Sequence, residues 1–488
     1  MRNISKILVI GLCAILIMAC PLPVMAAVPY QGYTFNHWGG LIPAPVSYTA
    51  TRVITAADIC PELGSFLRPN DMAVDKNNII YVLDTGNNRI VAFDQDLNLV
   101  RIISYFDRDG ITDTFNNPGG IFVCYALNIY IADTENRRVV ILDSEGRFLS
   151  QIYNPDLGDI DDAVDFRPLR VAADRAGRVY VIVMHVFEGI MRFDEDGQFF
   201  GYFGTIEVRI SAADIFWRRF ATQAQRERQR RFIPTEFTGI DVDDYGFVFT
   251  THWDLRSSND QVMRLNPRGN DVLRNLNENV VINGDQRTRW YGTNSFFVDI
   301  ITRPNGLYST LDATRGRVFT YDSEGNLLYV FGGDGSVMGM NRNPVALDVI
   351  GDNIMVLDSL RGRIVYYEPT EYGALINLAA ALRYQGDELG SVEVWRQVMV
   401  LNEHSEMALS GIGRAYLLEG EYELAMDYLR RGMNLRYYSL ALGRRRQVFV
   451  EDNLPLVLSL GLLVAVALAV RSVYRNVKGI GRGEELYD

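Results

Sequence analysis

Five residues in the sequence could together bind a divalent cation. Asp84, Asp133, His252, Asp312 and Asp358 each stand at or near the end of a short apolar run of β-branched and aromatic residues. Carboxylate oxygens combined with an imidazole are ligands that suit Ca²⁺ or another divalent ion. We therefore treat these five positions as candidate ligand-binding residues. The sequence predicts no required cofactor, and a divalent cation is the single candidate.

The same positions also have a structural interpretation. An arginine follows each of the four aspartates five residues later, and these arginines are Arg89, Arg138, Arg317 and Arg363. A carboxylate that accepts hydrogen bonds from the turn after it and pairs with this arginine would hold the turn in place. The sequence favours this interpretation over a metal site.

The elements that must position these residues belong to a repeat of about 50 residues, a period typical of propellers. Its clearest copies begin at residues 69 and 118, and each runs through a second apolar segment to an Asp-Thr pair, at residues 84–85 and 133–134. Four fainter copies begin near residues 167, 237, 297 and 343. Short β-branched and aromatic runs separated by Asp, Asn and Gly turns predict strands. One such sheet cannot bury both of its faces alone, so the copies must stack in a ring. We predict a mainly β fold, a six-bladed β-propeller over residues 48–368.

The clearest copies resemble the NHL repeat. Pro-Asn-Asp-Met-Ala-Val-Asp at residues 69–75 and Ile-Tyr-Val-Leu-Asp-Thr at residues 80–85 match that pattern almost position by position. The combination of domains is similar to that of bacterial NHL-repeat envelope proteins with C-terminal tetratricopeptide-like helices. Propellers of related appearance include lactonases and lyases that use a divalent metal or a ring of histidines. Only His185 and His252 fall within blades, which excludes a three-histidine zinc centre there.

The segments before the first copy should close the ring. Residues 28–47 are predicted to form an extended lead-in that lies over a folded face. The strand at residues 51–55 is predicted to complete the last blade from the other end of the chain, which would remove an exposed edge.

Composition and charge limit the partners. The chain has 488 residues, 48% hydrophobic and 22% charged, with a formal net charge of −12. This balance describes a globular protein. It argues against a nucleic-acid partner, because phosphate binding needs a concentrated positive surface.

Both ends of the chain carry apolar segments. Residues 1–27 have the three parts of a secretory signal peptide, and Cys20 is an alternative site of lipidation. Residues 454–470 carry no charge and are long enough for a transmembrane helix. A cleaved signal would place the propeller outside the cytoplasm and residues 471–488 inside. Cys60 and Cys124 are the two thiols left; a disulfide between them and a buried free Cys124 both remain possible.

Two further segments have helical periodicity. An insertion at about residues 205–236 predicts a basic amphipathic helix that either packs on the propeller or meets a membrane or an acidic partner. Residues 371–450 repeat with a period of 34 residues, as in tetratricopeptide motifs, for example between Gly386 and Gly420. Two copies are too few to stand alone, so they should lean on the propeller, on the helix at residues 436–450 or on a partner. They form either a binding groove or a spacer.

These features predict a single-pass protein of the cell membrane, with its N-terminal domain extracytoplasmic. The expected function is a non-catalytic binding or scaffold module for an envelope protein, for example a transporter, or for a glycan. The alternative is a metal-dependent enzyme of the lactonase or lyase type, with its site on the propeller rim.

Overall fold

The structure is a computed structural model that describes residues 28–155, 165–204, 236–253, 261–273, 284–285 and 294–483, with side chains as far as residue 476. The predicted insertion (residues 205–235), the signal peptide (residues 1–27) and the end of the tail (residues 484–488) lie outside the described residues. The sheets of the propeller form six blades, which confirms the predicted fold class.

Blades 1 to 3 are four-stranded antiparallel sheets whose first strand lies nearest the channel. Their strands are β4 (Asp71–Val74), β5 (Ile80–Asp84), β6 (Arg89–Phe93) and β7 (Leu99–Ile103) in blade 1; β10 (Gly120–Val123), β11 (Ile129–Asp133), β12 (Arg138–Leu142) and β13 (Phe148–Tyr153) in blade 2; and β14 (Pro168–Ala173), β15 (Val179–Val183), β16 (Ile190–Phe193) and β17 (Phe199–Phe203) in blade 3. A hairpin of β8 (Tyr105–Arg108) and β9 (Ile111–Thr114) connects blades 1 and 2.

Blades 4 to 6 complete the ring. In the described residues blade 4 contains β18 (Glu236–Val242), β19 (Val248–Trp253) and β20 (Val262–Leu265). Blade 5 contains β21 (Phe297–Thr302), β22 (Tyr308–Asp312), β23 (Arg317–Tyr321) and β24 (Leu327–Gly332), and is extended by the hairpin β1 (Tyr33–Phe35) and β2 (Leu41–Pro43). Blade 6 contains β25 (Pro344–Ile350), β26 (Asn353–Asp358), β27 (Arg363–Pro369) and β3 (Tyr48–Thr55).

The N-terminal strand closes the ring as predicted. β3 pairs antiparallel with β27, from Tyr48 opposite Pro369 to Thr55 opposite Arg363. The last blade thus joins residues from both ends of the propeller. The lead-in contributes the hairpin β1–β2, and β1 pairs with the outer strand β24 and so extends the edge of blade 5.

The alternation of side chains along each strand explains how a blade buries both faces. In β5, Ile80 and Val82 pack in a cluster with blade 6, and Tyr81 and Leu83 pack in a cluster with blade 2. Successive side chains of a strand point to opposite faces. An unbroken apolar run is therefore what a strand between two neighbouring blades requires.

Helices follow the last blade. After a short N-terminal helix, α1 (Ala56–Ile59), these are α2 (Glu371–Tyr384), α3 (Glu388–Leu401), α4 (Glu406–Glu419), α5 (Tyr422–Arg431) and α6 (Leu435–Gly483). α2 starts immediately after blade 6, and the Thr370 side chain accepts a hydrogen bond from the Gly373 N–H at 3.3 Å. Such a cap stabilises a helix start by about 1 kcal/mol.

The helices pack on the propeller and on α6, two of the three supports expected. Tyr372 and Ile376 of α2 share a buried cluster with Tyr48 and Phe331 of the propeller. Ala425 of α5 packs in another cluster that includes residues of α6.

The chain from Leu435 to Gly483 is one uninterrupted helix of 49 residues. The sequence predicted two segments, residues 436–450 and residues 454–470. The helix continues through residues 451–453 and through Pro455, so the two predicted segments are parts of one helix. The helix is long and apolar enough over residues 435–476 to cross a membrane, and its most apolar part is not buried against the rest of the chain.

Candidate functional site

The predicted aspartates occupy one equivalent position in their blades. Asp84, Asp133, Asp312 and Asp358 each end the second strand and lie directly opposite the arginine that begins the third strand. All four have no exposed surface. The spacing of Asp and Arg in the sequence therefore predicts the pairing of the second and third strands correctly.

In blades 1 and 2 the carboxylate is fully used inside its own blade. Asp84 accepts from the Leu67 N–H at 2.7 Å, from the Asn87 side chain at 2.7 Å and from Arg89 Nε at 2.8 Å. Asp133 accepts from the corresponding three groups at 2.8–2.9 Å, the last of them Arg138 Nε. The carboxylate thus fastens the loop before the first strand and the turn after the second strand to the third strand.

Blade 5 departs from the predicted pairing. Arg317 does not pair with Asp312; its guanidinium contacts Asp285 and the Tyr33 hydroxyl. Asp312 instead accepts from the Ser295 hydroxyl at 2.7 Å, and Arg315 is 3.9 Å away. The hairpin β1–β2 on this blade explains the exchange, because Tyr33 also donates to Asp285 and draws Arg317 towards that carboxylate.

Blade 6 keeps the predicted pair in a looser form. Asp358 accepts from the backbone N–H groups of Arg342 at 2.9 Å and Asn343 at 3.2 Å. Arg363 Nε lies 3.8 Å from its carboxylate. In this blade the backbone of the entering loop is the main partner of Asp358.

His252 stands where the sequence placed it, opposite Phe237 in the pairing of the first two strands of blade 4. In blade 5 the corresponding pairing places Asp312 opposite Phe297, so His252 occupies the position that the aspartate has in that blade. His252 is buried, with its ring 6.2 Å from that of Phe237. Within the described part of the chain, no group of three or more His, Cys, Asp or Glu side chains is arranged to hold a metal ion. A ligand-binding role for these five residues stays a prediction.

The two cysteines are free. Cys60 packs beside the cluster between blades 6 and 1, and Cys124 packs beside the cluster between blades 2 and 3. Of the two alternatives the structure has the free Cys124, although this residue is partly and not fully buried.

Sequence reasoning missed a second group of charged residues, which lines the channel. Asp71, Arg170 and Asp299 lie on the innermost strands of blades 1, 3 and 5, and Asp241 and Asp348 lie on those of blades 4 and 6. The signal was present in the sequence. Asp71 stands where the NHL pattern has Gly, and Gly120 keeps that glycine in blade 2.

Each channel carboxylate joins two adjacent blades. Asp71 accepts from the Ile121 N–H at 2.9 Å, Asp348 from the Val74 N–H at 2.7 Å, Asp299 from the Leu347 N–H at 2.8 Å, and Asp241 from both the N–H and the hydroxyl of Thr302 at 2.6 Å. Every acceptor is on one blade and every donor is on the next. We name this group, with Arg170, the channel ring.

Arg170 is the cation of the channel ring. It lies 3.0 Å from Asp71 and donates to the carbonyl groups of Asn70, Gly119 and Val345 at 2.9–3.1 Å. These partners lie on or beside the innermost strands of three other blades, so one guanidinium connects four blades. Gly120 makes room for this approach, because a Cβ there would lie 2.7 Å from the Leu169 carbonyl.

Burial changes the acidity of the channel carboxyls. Loss of solvent raises the pKa of Asp241 to about 6 and the pKa of Asp299 to about 8, and it raises the pKa of Asp348 well above its ordinary value. The negative charge of Asp71 raises the pKa of Asp299 further, and Arg170 opposes this. Burial also raises the pKa of Asp71.

A third polar group fixes the helices to the propeller. Arg303 is buried and donates to the hydroxyls of Tyr329 and Tyr48, both at 3.0 Å. Asn377 of α2 accepts from Tyr329 at 2.6 Å and donates to Tyr48 at 3.0 Å. At the other end of α2, Arg383 forms an ion pair with Asp322 of blade 5 at 2.9 Å.

The two faces of the propeller differ. Successive turns of an antiparallel blade alternate between faces, so the turns after the first and third strands share one face and those after the second strand share the other. The helices contact the first of these: Tyr384 packs against Gly306, in the turn after β21, and Arg383 reaches Asp322, in the turn after β23. The turns that carry Asp84 and Asp358 lie on the opposite face, which we name the free face.

The fold and the repeat define the class: the chain is a six-bladed β-propeller followed by C-terminal helices. Residues 66–93, the start of blade 1 through its third strand, match the family model of the NHL repeat. No curated protein matches the sequence significantly.

Several solved structures are similar. They include virginiamycin B lyase from Staphylococcus aureus (10% identity, TM-score 0.41, covering 66% of this chain and 99% of that one), a gluconolactonase from Xanthomonas campestris (10%, 0.37, 67% and 99%) and the allergen Mala s 1 from Malassezia sympodialis (14%, 0.39, 62% and 93%).

Proposed function

We propose that this protein is a membrane-anchored, non-catalytic binding or scaffold module, whose propeller binds another envelope protein, such as a transporter, or a glycan. In this proposal residues 1–27 direct export, the propeller is extracytoplasmic, and residues 471–488 stay in the cytoplasm. The helices of residues 371–450, which repeat in the manner of tetratricopeptide motifs, connect the propeller to the bilayer.

The observation that carries the proposal is the rigid connection between propeller and apolar helix. Blade 6 continues through the Thr370 cap into α2, and α2 is held to blades 5 and 6 by buried apolar and polar contacts. α6 begins inside the helical region, where Arg445 pairs with Glu423 of α5 at 2.8 Å, and runs without a break into the membrane-length segment. A protein built in this way holds its propeller in one orientation relative to the membrane.

The hydrogen bonds that the predicted aspartates accept support a binding role over the enzymatic alternative. The carboxylates of Asp84 and Asp133 each accept three hydrogen bonds within their blade, one of them from an arginine. Buried carboxylates satisfied in this way fix a turn and are not open to a metal ion. Since the helices cover part of one face, we place the partner on the free face.

Site-specific photocrosslinking in the native membrane tests this placement. A photoreactive residue at Leu360, in a turn of the free face, is expected to crosslink to a specific partner. The matched control is the same residue at Tyr125, in a turn of the opposite face; both side chains are more than 60% exposed (69% and 62%). Equal crosslinking from both positions, or from Tyr125 alone, would contradict the placement.

Metal analysis of the detergent-purified chain separates the binding module from the metal-dependent enzyme. The proposal expects no stoichiometric divalent ion in the purified protein. A stoichiometric ion that is lost in both the Asp84→Ala and the His252→Ala variants would instead establish the enzyme of the lactonase or lyase type.

A further inference from the structure

The channel ring places four carboxyls and one guanidinium at the axis of the propeller. Asp71, Asp241, Asp299 and Asp348 are all less than 10% exposed. Each of them holds a backbone N–H of the next blade, so each bond crosses a blade boundary. A propeller can open at the boundaries between blades, because the strands within a blade are joined to each other by backbone hydrogen bonds.

We propose that the channel ring is a proton-dependent lock between the blades, in which ionisation of the Asp299 carboxyl loosens the contacts between the inner strands. The neutral acid keeps an oxygen to accept the Leu347 N–H. The added proton comes from solvent, and no other bond forms or breaks.

The surroundings of Asp299 explain why this residue takes the proton. Strand β18 contributes Asp241 and strand β25 contributes Asp348, both acidic and buried. Strand β22 places Leu311 opposite Asp299, with Asp312 at the end of that strand, and β19 contributes His252. These four strands supply no permanent positive charge; the cation that acts on Asp299 is Arg170 of β14, which lowers its pKa but does not outweigh the effect of burial.

Arg170 cannot neutralise the whole ring. It stands closest to Asp71, at 3.0 Å, and its remaining donors are directed to carbonyl groups of blades 1, 2 and 6. Asp71 is therefore the carboxyl best placed to stay ionised, and its charge acts on Asp299 across the channel. Buried like charges cannot all ionise at the same pH.

The direction of the pH effect follows from proton linkage. An aspartate whose pKa is higher in the folded state than in the unfolded state binds more protons when folded, so stability falls as pH rises. For Asp299 the window runs from the ordinary pKa of about 4 to about 8. Within it, each extra proton held by the closed ring changes the opening equilibrium by about tenfold per pH unit.

Hydrogen exchange of the full chain in detergent tests the lock. The peptide containing Leu347 in β25 is followed by mass spectrometry from pH 5 to pH 8, and exchange is corrected for its intrinsic pH dependence. We expect protection of this peptide to fall several-fold per pH unit in the wild type. The Asp299→Asn variant, which is neutral at every pH, should remove most of that dependence.

A matched variant separates this effect from general destabilisation. Asp84→Asn removes an equally buried carboxylate in a turn, outside the channel, and should keep the wild-type pH dependence. If Asp299→Asn does not fold, the wild-type series still tests whether the channel ring as a whole responds to protons. Protection of the Leu347 peptide that is flat from pH 5 to pH 8, or an unchanged slope in a folded Asp299→Asn protein, overturns the proposal.

Discussion

Replacing Asp84 with Ala separates the structural role of the repeated aspartate from a ligand-binding role. The change removes a fully buried carboxylate. This carboxylate accepts hydrogen bonds from the Leu67 N–H, the Asn87 side chain and Arg89. Arg89 keeps its hydrogen bond to the Leu63 carbonyl, at 2.8 Å. The substitution therefore leaves a largely buried guanidinium without its counter-charge.

The expected loss of stability is large. Removing one partner of a buried ion pair costs about 3–5 kcal/mol, because the other charge stays buried and uncompensated. We expect the free energy of unfolding of the propeller to fall by about 3–5 kcal/mol.

Urea denaturation of the full chain in detergent, followed by circular dichroism, measures this change. The matched control is Asp94→Ala, since Asp94 is a partly exposed aspartate in the turn after the third strand that accepts from the Asp96 and Asn98 N–H groups. It should shift the midpoint far less. If Asp84→Ala unfolds at the wild-type midpoint but loses a bound ion or ligand, the structural interpretation is wrong.

Three further predictions concern the ring closure, the junction and the anchor. Gly373→Val should undock α2, because a Cβ there would lie 2.1 Å from the Ser47 carbonyl oxygen; limited proteolysis should then cut between blade 6 and the helices. Deleting residues 28–55 removes β3 and leaves β27 as an open edge, so the protein should aggregate, as measured by size-exclusion chromatography. Ending the chain after Arg446 removes the membrane-length part of α6; the protein should move from the membrane fraction to the soluble fraction, whereas ending it at residue 483 should not move it.

The blades could be predicted from the sequence because their signal is local and repeated. A strand buried on both faces needs an apolar run, and Ile80 to Leu83 supplies one. The Asp84 and Arg89 spacing fixes the register, since those residues face each other across one strand pair. The closure by β3 followed from the need to cover the last edge.

The arrangement around the channel could not be predicted from the same signals. Asp71 and Asp299 are far apart in the sequence, and only the ring brings them to one axis. Asp299 interrupts an otherwise apolar strand, and Asp71 departs from the repeat at a single position, so each looks like a local irregularity. The predicted partner of Arg317 was wrong for a related reason. The observed partners, Asp285 and the Tyr33 hydroxyl, come from outside its blade.

The junction at Arg303 links the ring closure to the anchor. Tyr48 starts the strand that closes blade 6, and its hydroxyl contacts both Arg303 of blade 5 and Asn377 of α2. Undocking α2 would remove the hydrogen bond from Asn377 to the Tyr48 hydroxyl, and this would also weaken the start of β3. Closure of the propeller and attachment of the helices are therefore coupled. A force or a partner that acts on the helices would act on the propeller first at the boundary between blades 5 and 6. At this boundary the Asp299 carboxyl accepts a hydrogen bond from the Leu347 N–H.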